Sequence, residues 1–477
     1  MDWYGDSGME LTRIVVSRGL ALVYVIAFVV AVRQWPALLG DHGLLPVRRH
    51  LQGTTWKRAP SLLRIRCDDR SVLAASWLGA LIGVAVVAGL VERAPAPVWI
   101  VCWLAMWAIY LSLVNVGQVF YGFGWETLLL EAGFLATFLG PRGVAPPVLV
   151  LWLFRWLAFR VELGAGLIKL RGDPCWRNLT CLRYHHETQP LPNPLSWRFH
   201  HLPDWMHRAE VLGNHAAQLV APWLLLLPQP VAGIAALAMI VTQCWLLVSG
   251  NFSWLNLVTI VIVAAALPDS LLRHVLPDVD ASASSPAWWA VLGLVAGGAL
   301  ALLSVRPAAN LLSRRQVMNG SFDPLRLVNT YGAFGHVTKH RDELIVEGTA
   351  DEVVTPSTTW LAYEFAAKPG DPARRPRQIA PYHLRLDWLM WFAALGSPGS
   401  HPWVRTLVDR LLAGDVATLR LLGRNPFPDR PPAHVRVLVY RYRFTTSDER
   451  RATCEWWHRE LLGTYLPPAR LGYGRRP

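Results

Sequence analysis

Three ionisable side chains recur along one apolar segment of the sequence, "PVLVLWLFRWLAFRVELGAGLIKL" at 147–170. Arg155, Glu162 and Lys169 stand seven residues apart, close to two turns of an α-helix, so a helix places them in one stripe. Charge inside a membrane is costly and usually faces a partner or a cavity. The stripe therefore predicts either a ladder of ion pairs that orients helices or a polar cavity for a substrate or headgroup.

A second apolar segment, at 208–227, starts beside a matching set of polar side chains. His207, Glu210, Asn214 and Gln218 follow one another at spacings of three, four and four residues. These spacings keep all four on one face of a helix. We expect the two polar faces to meet and to enclose a polar core between neighbouring helices.

Two carboxylates stand in the apolar stretch "WETLLLEAGF" at 125–134. Glu126 and Glu131 are five residues apart, which is about 140° around a helix, so they cannot share one face. We expect one of them to join the polar core, and a structural pairing for both is favoured over a chemical role.

The connection 169–206 concentrates further reactive side chains between two apolar segments. Cys175 and Cys181 form a C-x5-C pair, which fits a local disulfide, two free thiols or half of a zinc site. The adjacent His185 and His186 point apart on a regular backbone, so the pattern does not favour metal binding. The prolines of "TQPLPNP" at 188–194 require extended backbone before each ring. The connection therefore resembles a stiff cap more than a hinge.

The composition sets the class of protein. The 477 residues are 53% hydrophobic and 17% charged, with 24 tryptophans, and the apolar residues fall in blocks long enough to cross a bilayer as helices. These blocks predict an α-helical multi-pass membrane protein with about nine spans, at 14–32, 72–91, 97–116, 125–139, 147–168, 208–227, 230–249, 252–267 and 287–305.

The composition changes at about residue 306. We predict a transmembrane domain at 1–305, with large polar loops at 33–70 and 169–206, and a C-terminal α+β extramembrane domain at 306–477. Alternating stretches such as "DELIVEG" and "HVRVLVYRYRFTT" indicate strands, and "HLRLDWLMWFAAL" indicates an amphipathic helix.

The net charge of +13 does not indicate a nucleic-acid partner, because the arginines are dispersed at membrane boundaries and in the tail. Anchoring at the lipid headgroups explains them better, so membrane lipids are the expected contact. Nine crossings would place both polar loops and the tail on one side of the membrane. The basic 33–70 loop favours the cytoplasmic side, whereas a disulfide would favour an oxidising compartment.

Several long stretches resemble segments of the lipase maturation factor family, and they follow one another in the same order as in that family. They lie between about 117 and 465 and include "YGFGWETLLLEAGFLA", "GAGLIKLRGDPCWRNLTCLRYHHETQPLPNPLSW", "LVNTYGAFGHVTK", "PYHLRLDWLMWFAAL" and "NPFPDRPPAHVRVLVYRYRF". The resemblance implies a chaperone-type membrane protein that helps secreted lipases to fold and assemble. It implies the endoplasmic reticulum membrane for a eukaryotic chain and the cell membrane for a bacterial one, with the polar loops and tail luminal or extracytoplasmic.

A weaker resemblance links "GAGLIKLRGDPCW" to the membrane domain of vitamin K-dependent γ-carboxylase-like proteins, in which the lysine matching Lys169 is a catalytic base. This alternative function is a membrane enzyme with Glu162, Arg155, His185 and His186 as neighbours of Lys169. A transporter fits less well, since inverted repeats of broken helices are not evident.

The preferred hypothesis is a maturation factor rather than an enzyme, without a cofactor or a bound metal. Its partner would be a secreted lipase or another exported hydrolase. We expect exposed aromatic side chains of the polar connection, Trp176, Trp197 and Trp205, to contact this client.

Overall fold

The computed structural model of the protein describes residues 5–277, 279 and 285–472. The helices from the N-terminus to the long polar connection are α1 (Glu10–Leu38), α2 (Val47–Gln52), α3 (Asp69–Val87), α4 (Ala96–Val116), α5 (Gly124–Ala136) and α6 (Val148–Arg171). The connection and the remaining membrane region contain α7 (Pro174–Arg177), α8 (Leu182–Thr188), α9 (Ser196–His200), α10 (Asp204–His215), α11 (Ala221–Leu224), α12 (Val231–Ser249), α13 (Leu255–Val263), α14 (Asp269–Leu272), α15 (Ala287–Leu303) and α16 (Val305–Leu312).

The C-terminal region combines strands with short helices. The strands are β1 (Arg341–Thr349), β2 (Leu361–Ala362), β3 (Glu364–Phe365), β4 (Leu422–Arg424), β5 (His434–Phe444) and β6 (Trp457–Ala469). Its helices are α17 (Arg385–Ala394), α18 (Trp403–Leu412), α19 (Val416–Leu419) and α20 (Ser447–Thr453).

Within the described residues, five helical stretches are long and apolar enough to cross a membrane. They are Glu10–Leu38, Asp69–Val87, Ala96–Val116, Val231–Ser249 and Ala287–Leu312. Together with the C-terminal sheets, they agree with the predicted mostly helical membrane protein that carries a strand-containing tail. The count of about nine spans, and the domain boundary at 305, stay predictions.

The other predicted spans form helices of different character. The 24-residue α6 carries Arg155, Arg160 and Glu162, and α5 and α13 have only 13 and 9 residues. Nearly every side chain of α5 is buried inside the protein. Such a helix is apolar because it lies in the core, so its hydropathy alone does not indicate contact with lipid. The segment 208–227 is interrupted, because a π-helical turn at Ala216–Val220 separates α10 from α11.

The tail has a four-stranded antiparallel sheet in the order β2-β1-β5-β6 and a two-stranded sheet of β3 and β4. The alternating stretches predicted as strands form β1 and β5, which pair along their length with Leu344 opposite Val439. The apolar face of the sheet packs on α17 and α18, whose Leu389 and Leu407 are buried. Strand β6 pairs only with β5 among the named strands and therefore forms an edge of the sheet.

The tail docks into the membrane region through buried charge. Arg385, at the start of α17, donates to Glu126 Oε1 of α5 at 2.7 Å and to the carbonyl oxygen of Phe120, and its guanidinium lies 3.6 Å from the centre of the Tyr121 ring. Tyr110 donates to the other carboxylate oxygen of Glu126. Both charged side chains are completely buried, so separating the tail from α5 would leave each charge buried without its partner.

A second buried carboxylate ties the start of the tail to the same helix. Glu131 pairs with Arg160 of α6 and accepts hydrogen bonds from the Asn329 backbone at 2.9 Å and the Tyr331 hydroxyl at 2.7 Å. Arg160 also donates to the carbonyl oxygen of Asn329. Both glutamates thus take structural partners, and neither joins the polar group around Lys169 described below.

We predict that Arg385→Met destabilises the protein by about 3–5 kcal/mol, because it leaves Glu126 buried without its cation. The measurement is unfolding in mixed detergent micelles, followed by circular dichroism. Adding Glu126→Leu to Arg385→Met restores part of the loss, since it removes the unpaired charge.

The matched control is Arg451→Ala, which breaks the exposed pair of Arg451 with Asp448. An exposed pair contributes little, so this variant changes the free energy of unfolding by less than about 1 kcal/mol. Equal stability of Arg385→Met and Arg451→Ala would contradict the proposed role of the buried pair.

Candidate functional site

Lys169 lies at the centre of a polar group between three helical segments. Its ammonium is buried and donates to Asn214 Oδ1 at 2.8 Å and to Gln218 Oε1 at 2.7 Å. It also lies 4.8 Å from the centre of the Trp176 ring, a cation–π distance. The structure thus brings together the polar faces of α6 and of the segment 207–218.

The backbone around Gln218 departs from a regular α-helix at the contact with Lys169. The π-helical turn at Ala216–Val220 contains Gln218, and turns of this kind are rare and often found at functional sites. A Cβ atom on Gly166 would lie 2.7 Å from Leu219 Cδ2, so a larger residue would push the turn away from α6. The glycine therefore allows the close approach that places the amide oxygen of Gln218 on Lys169.

The polar group continues away from Lys169 through side chains of two further helices. Glu162 lies on the same face of α6 as Lys169 and accepts a hydrogen bond from Gln243 Nε2 at 2.6 Å. Gln243 Oε1 in turn accepts a hydrogen bond from Asn256 Nδ2 at 2.7 Å. All of these groups are buried. Sequence reasoning missed Gln243 and Asn256, although a lone amide within an apolar span is a signal for such a partner.

Arg155 does not join this group, which corrects the expected three-residue stripe. It is only half-buried, and its guanidinium stacks 4.9 Å from the centre of the Trp152 ring. With Asp6 and Gln229 it lines a shallow pocket near the start of α6. Fourteen residues of helix separate Arg155 from Lys169 by about 21 Å, so the two side chains meet different neighbours.

The polar connection is closed by a disulfide. Cys175 is bonded to Cys181, and both sulfur atoms lie in a small apolar cluster with Trp176 and Val211.

His185 and His186 follow on α8 and are buried. The ring of His185 stacks against Phe252, and burial, followed by the charges of His186 and Lys169, lowers its pKa to about 3. The side chain is thus neutral and lies on the apolar side of the helix.

His186 points in another direction and meets two side chains of α10. Its Nε2 atom lies 3.7 Å from Glu210 Oε2, and His207 Nδ1 lies 3.6 Å from the same oxygen. The polar face at 207–218 thus has two sets of partners. Asn214 and Gln218 bind Lys169, whereas His207 and Glu210 face His186. The sequence did not indicate this group, because its members come from separate segments without metal-ligand spacing.

The three tryptophans predicted to contact a client have different environments. Trp176 is buried and donates to the carbonyl oxygen of Phe334 at 2.8 Å, so it is not available to a partner. Trp197 is half-buried and donates to the carbonyl oxygen of Thr445. Trp205, in the first turn of α10, is 69% exposed. The expectation of exposure is therefore wrong for Trp176, because the folded connection uses this side chain to cover Lys169.

The proline-rich end of the connection is held by the first strand of the tail. Arg341 of β1 donates to the carbonyl oxygens of Glu187 at 3.0 Å and Pro190 at 2.9 Å, as well as to that of Gln189. Its charge is balanced by the buried Glu343. The last carbonyl groups of α8 and those of the extended, proline-containing backbone after it lack internal partners, and one guanidinium satisfies three of them here. The connection and the tail are consequently in direct contact.

Comparison with known proteins matches the chain to two domain models of one family. Residues 11–274 match the family model of the lipase maturation factor transmembrane domain, and residues 327–467 match that of the lipase maturation factor C-terminal domain. No solved structure matches the chain.

Full-length relatives extend this match over nearly the whole chain. Lipase maturation factor 1 of Bos taurus is 44% identical over 96% of this chain and 89% of its own length, and that of Mus musculus is 43% identical over 97% and 87%. Lipase maturation factor 2 of Homo sapiens is 31% identical over 98% of this chain and 84% of its own length. The chain belongs to the lipase maturation factor family.

Proposed function

We propose that the protein is a membrane-embedded factor that assists the folding or assembly of secreted lipases or other exported hydrolases. The names of its relatives suggest this class of client. The carrying observation is the contact at Arg341, which joins the connection 169–206 to the C-terminal sheet, so that we expect the two to present one surface. A folding factor needs such a surface outside the bilayer, large enough to hold part of an unfinished protein.

Two exposed apolar features are the proposed contact sites on this surface. Strand β6 is an edge of its sheet, and its Leu461 and Leu462 are 54% and 47% exposed. An edge strand offers unpaired backbone groups that can bind an extended segment of another chain. The prolines at 467 and 468 lack the backbone N–H, which limits pairing to the part of β6 before them. Trp205 of α10 is the second feature.

We place the polar connection and the tail on the luminal side of the endoplasmic reticulum, or on the extracytoplasmic side of a bacterial cell membrane. The disulfide between Cys175 and Cys181 supports this orientation, because such bonds persist in oxidising compartments. The apolar side chains exposed on the spanning helices are then covered by membrane lipids.

A membrane enzyme that uses Lys169 is the second candidate function. The observation in its favour is that the buried ammonium donates to two neutral amide oxygens, while Glu162 is bonded to Gln243. A buried lysine without a directly bonded carboxylate loses its proton more readily than an exposed one. The same contacts equally suit a purely structural role, in which Lys169 joins α6 to the π-helical turn.

The client surface is tested by the double variant Leu461→Asp/Leu462→Asp. We expect recovery of a co-expressed secreted lipase with the purified protein to fall by about tenfold or more, because two apolar contacts are lost. Val416→Asp is the matched control, since Val416 is also exposed in the tail but lies on α19. Wild-type recovery with the double variant would refute binding at β6, and Trp205→Ala tests the other feature in the same way.

The role of Lys169 is tested by Lys169→Met and Lys169→Arg. If the lysine is structural, Lys169→Arg keeps a cation for both amides and retains lipase secretion, whereas Lys169→Met loses about 1–3 kcal/mol of stability. Loss of secreted lipase activity in both variants at wild-type abundance and thermal midpoint would instead favour chemistry by Lys169.

The orientation is tested with a membrane-impermeant maleimide on intact cells or sealed microsomes. Cys454 is a native probe because its thiol is exposed in the tail. We expect labelling of Cys454 only from the extracytoplasmic or luminal side, and labelling of Cys175 and Cys181 only after reduction and unfolding. Labelling of Cys454 exclusively from the cytoplasmic side would overturn the proposed orientation.

A further inference from the structure

Three side chains from two separate helices converge where the polar connection meets α10. His186 is in α8, and His207 and Glu210 are three residues apart in α10. One ligand atom from each lies within 4.8 Å of the other two. The two histidines are buried, and Glu210 is largely enclosed.

The polar atoms of this group face one another, but they lie too far apart for hydrogen bonds. Both ring nitrogens of His186, His207 Nδ1 and Glu210 Oε2 are buried and make no hydrogen bond in the structure. Burying such atoms without a partner costs free energy, so an unpaired set in a folded protein indicates a bound ion or water. A single ion between the three side chains would satisfy one atom of each.

We propose that His186 Nε2, His207 Nδ1 and Glu210 Oε2 bind a Zn²⁺ ion. Zinc lies about 2.0–2.2 Å from nitrogen and oxygen ligands, which places tetrahedral ligands about 3.3–3.6 Å apart. The present separations of 3.6 and 3.7 Å from the carboxylate oxygen to the two nitrogens are close to this spacing. Two imidazoles with one carboxylate are typical of zinc, whereas Mg²⁺ and Ca²⁺ require mostly oxygen ligands.

Neighbouring side chains hold the ligands in place, as metal sites require. Trp245 Nε1 donates to the other oxygen of Glu210 at 3.0 Å, which orients Oε2 towards the histidines. Phe199 stacks on His186 with ring centres 5.3 Å apart. Three protein ligands leave the fourth position of the zinc for water or a further ligand.

The ion would fasten the polar connection to α10. The disulfide closes the start of the connection and Arg341 holds its end, whereas His186 lies between them on α8. The metal adds a link from α8 to the same helix that carries Trp205 and Asn214. Zinc would thereby stiffen the surface assigned to the client, although metal binding itself does not depend on that function.

The test uses the full-length protein purified in detergent, stripped with a chelator, and then supplied with Zn²⁺ or Co²⁺. We expect one equivalent of zinc after desalting, measured by mass spectrometry, and the visible absorption of tetrahedral cobalt. Zn²⁺ should raise the thermal midpoint, and Mg²⁺ should not. A folded wild-type protein that retains no metal and shows no cobalt bands would overturn the proposal.

The variants Glu210→Gln and His207→Gln each remove one ligand and should weaken zinc binding by at least about 100-fold. His201→Gln is the matched control, because His201 is an exposed histidine of the same connection. Wild-type affinity in a folded ligand variant, or equal loss in His201→Gln, would show an adventitious ion and refute the site. If both ligand variants fail to fold, the stoichiometry and cobalt spectrum of the wild type decide.

Discussion

The architecture depends on the neutralisation of two carboxylates buried in α5. An unpaired charge in such a place costs several kcal/mol, so each glutamate requires partners in the folded protein. Glu126 takes Arg385 from the tail, and Glu131 takes Arg160 together with Asn329 and Tyr331. The tail therefore cannot leave the membrane region without exposing buried charge.

The two regions matched by separate family models are therefore held together rather than independent. They meet at several points: Arg385 enters the helices, Arg341 holds the proline-rich connection, and Gln34 of α1 donates to the carbonyl oxygen of His383. The polar connection is further restrained by its disulfide and by the contact of Lys169 with Gln218. Such mutual restraint would suit the folding factor proposed above, because a preorganised surface loses little conformational entropy on binding.

Much of the fold was predictable where the signal is local. The alternation of β1 and β5 and the amphipathic pattern of α17 follow from the periods of strands and helices. Strand β6 was missed because consecutive leucines and two prolines break its alternation. The span predicted at α5 stays a prediction, because a core helix and a spanning helix are both apolar, and hydropathy does not distinguish what surrounds them.

The sequence by itself determined that the chain is a helical membrane protein with a strand-containing tail, and its motifs placed it in a family. It also led us to expect that the polar face of α6 meets that of the segment 207–218, since helical period puts each set of polar side chains on one continuous face. Only the tertiary structure decided which charges pair. Arg385 and Glu126 are 259 residues apart, and His186 meets Glu210 across two helices. Such partners share no period or spacing along the chain, because packing alone brings them together.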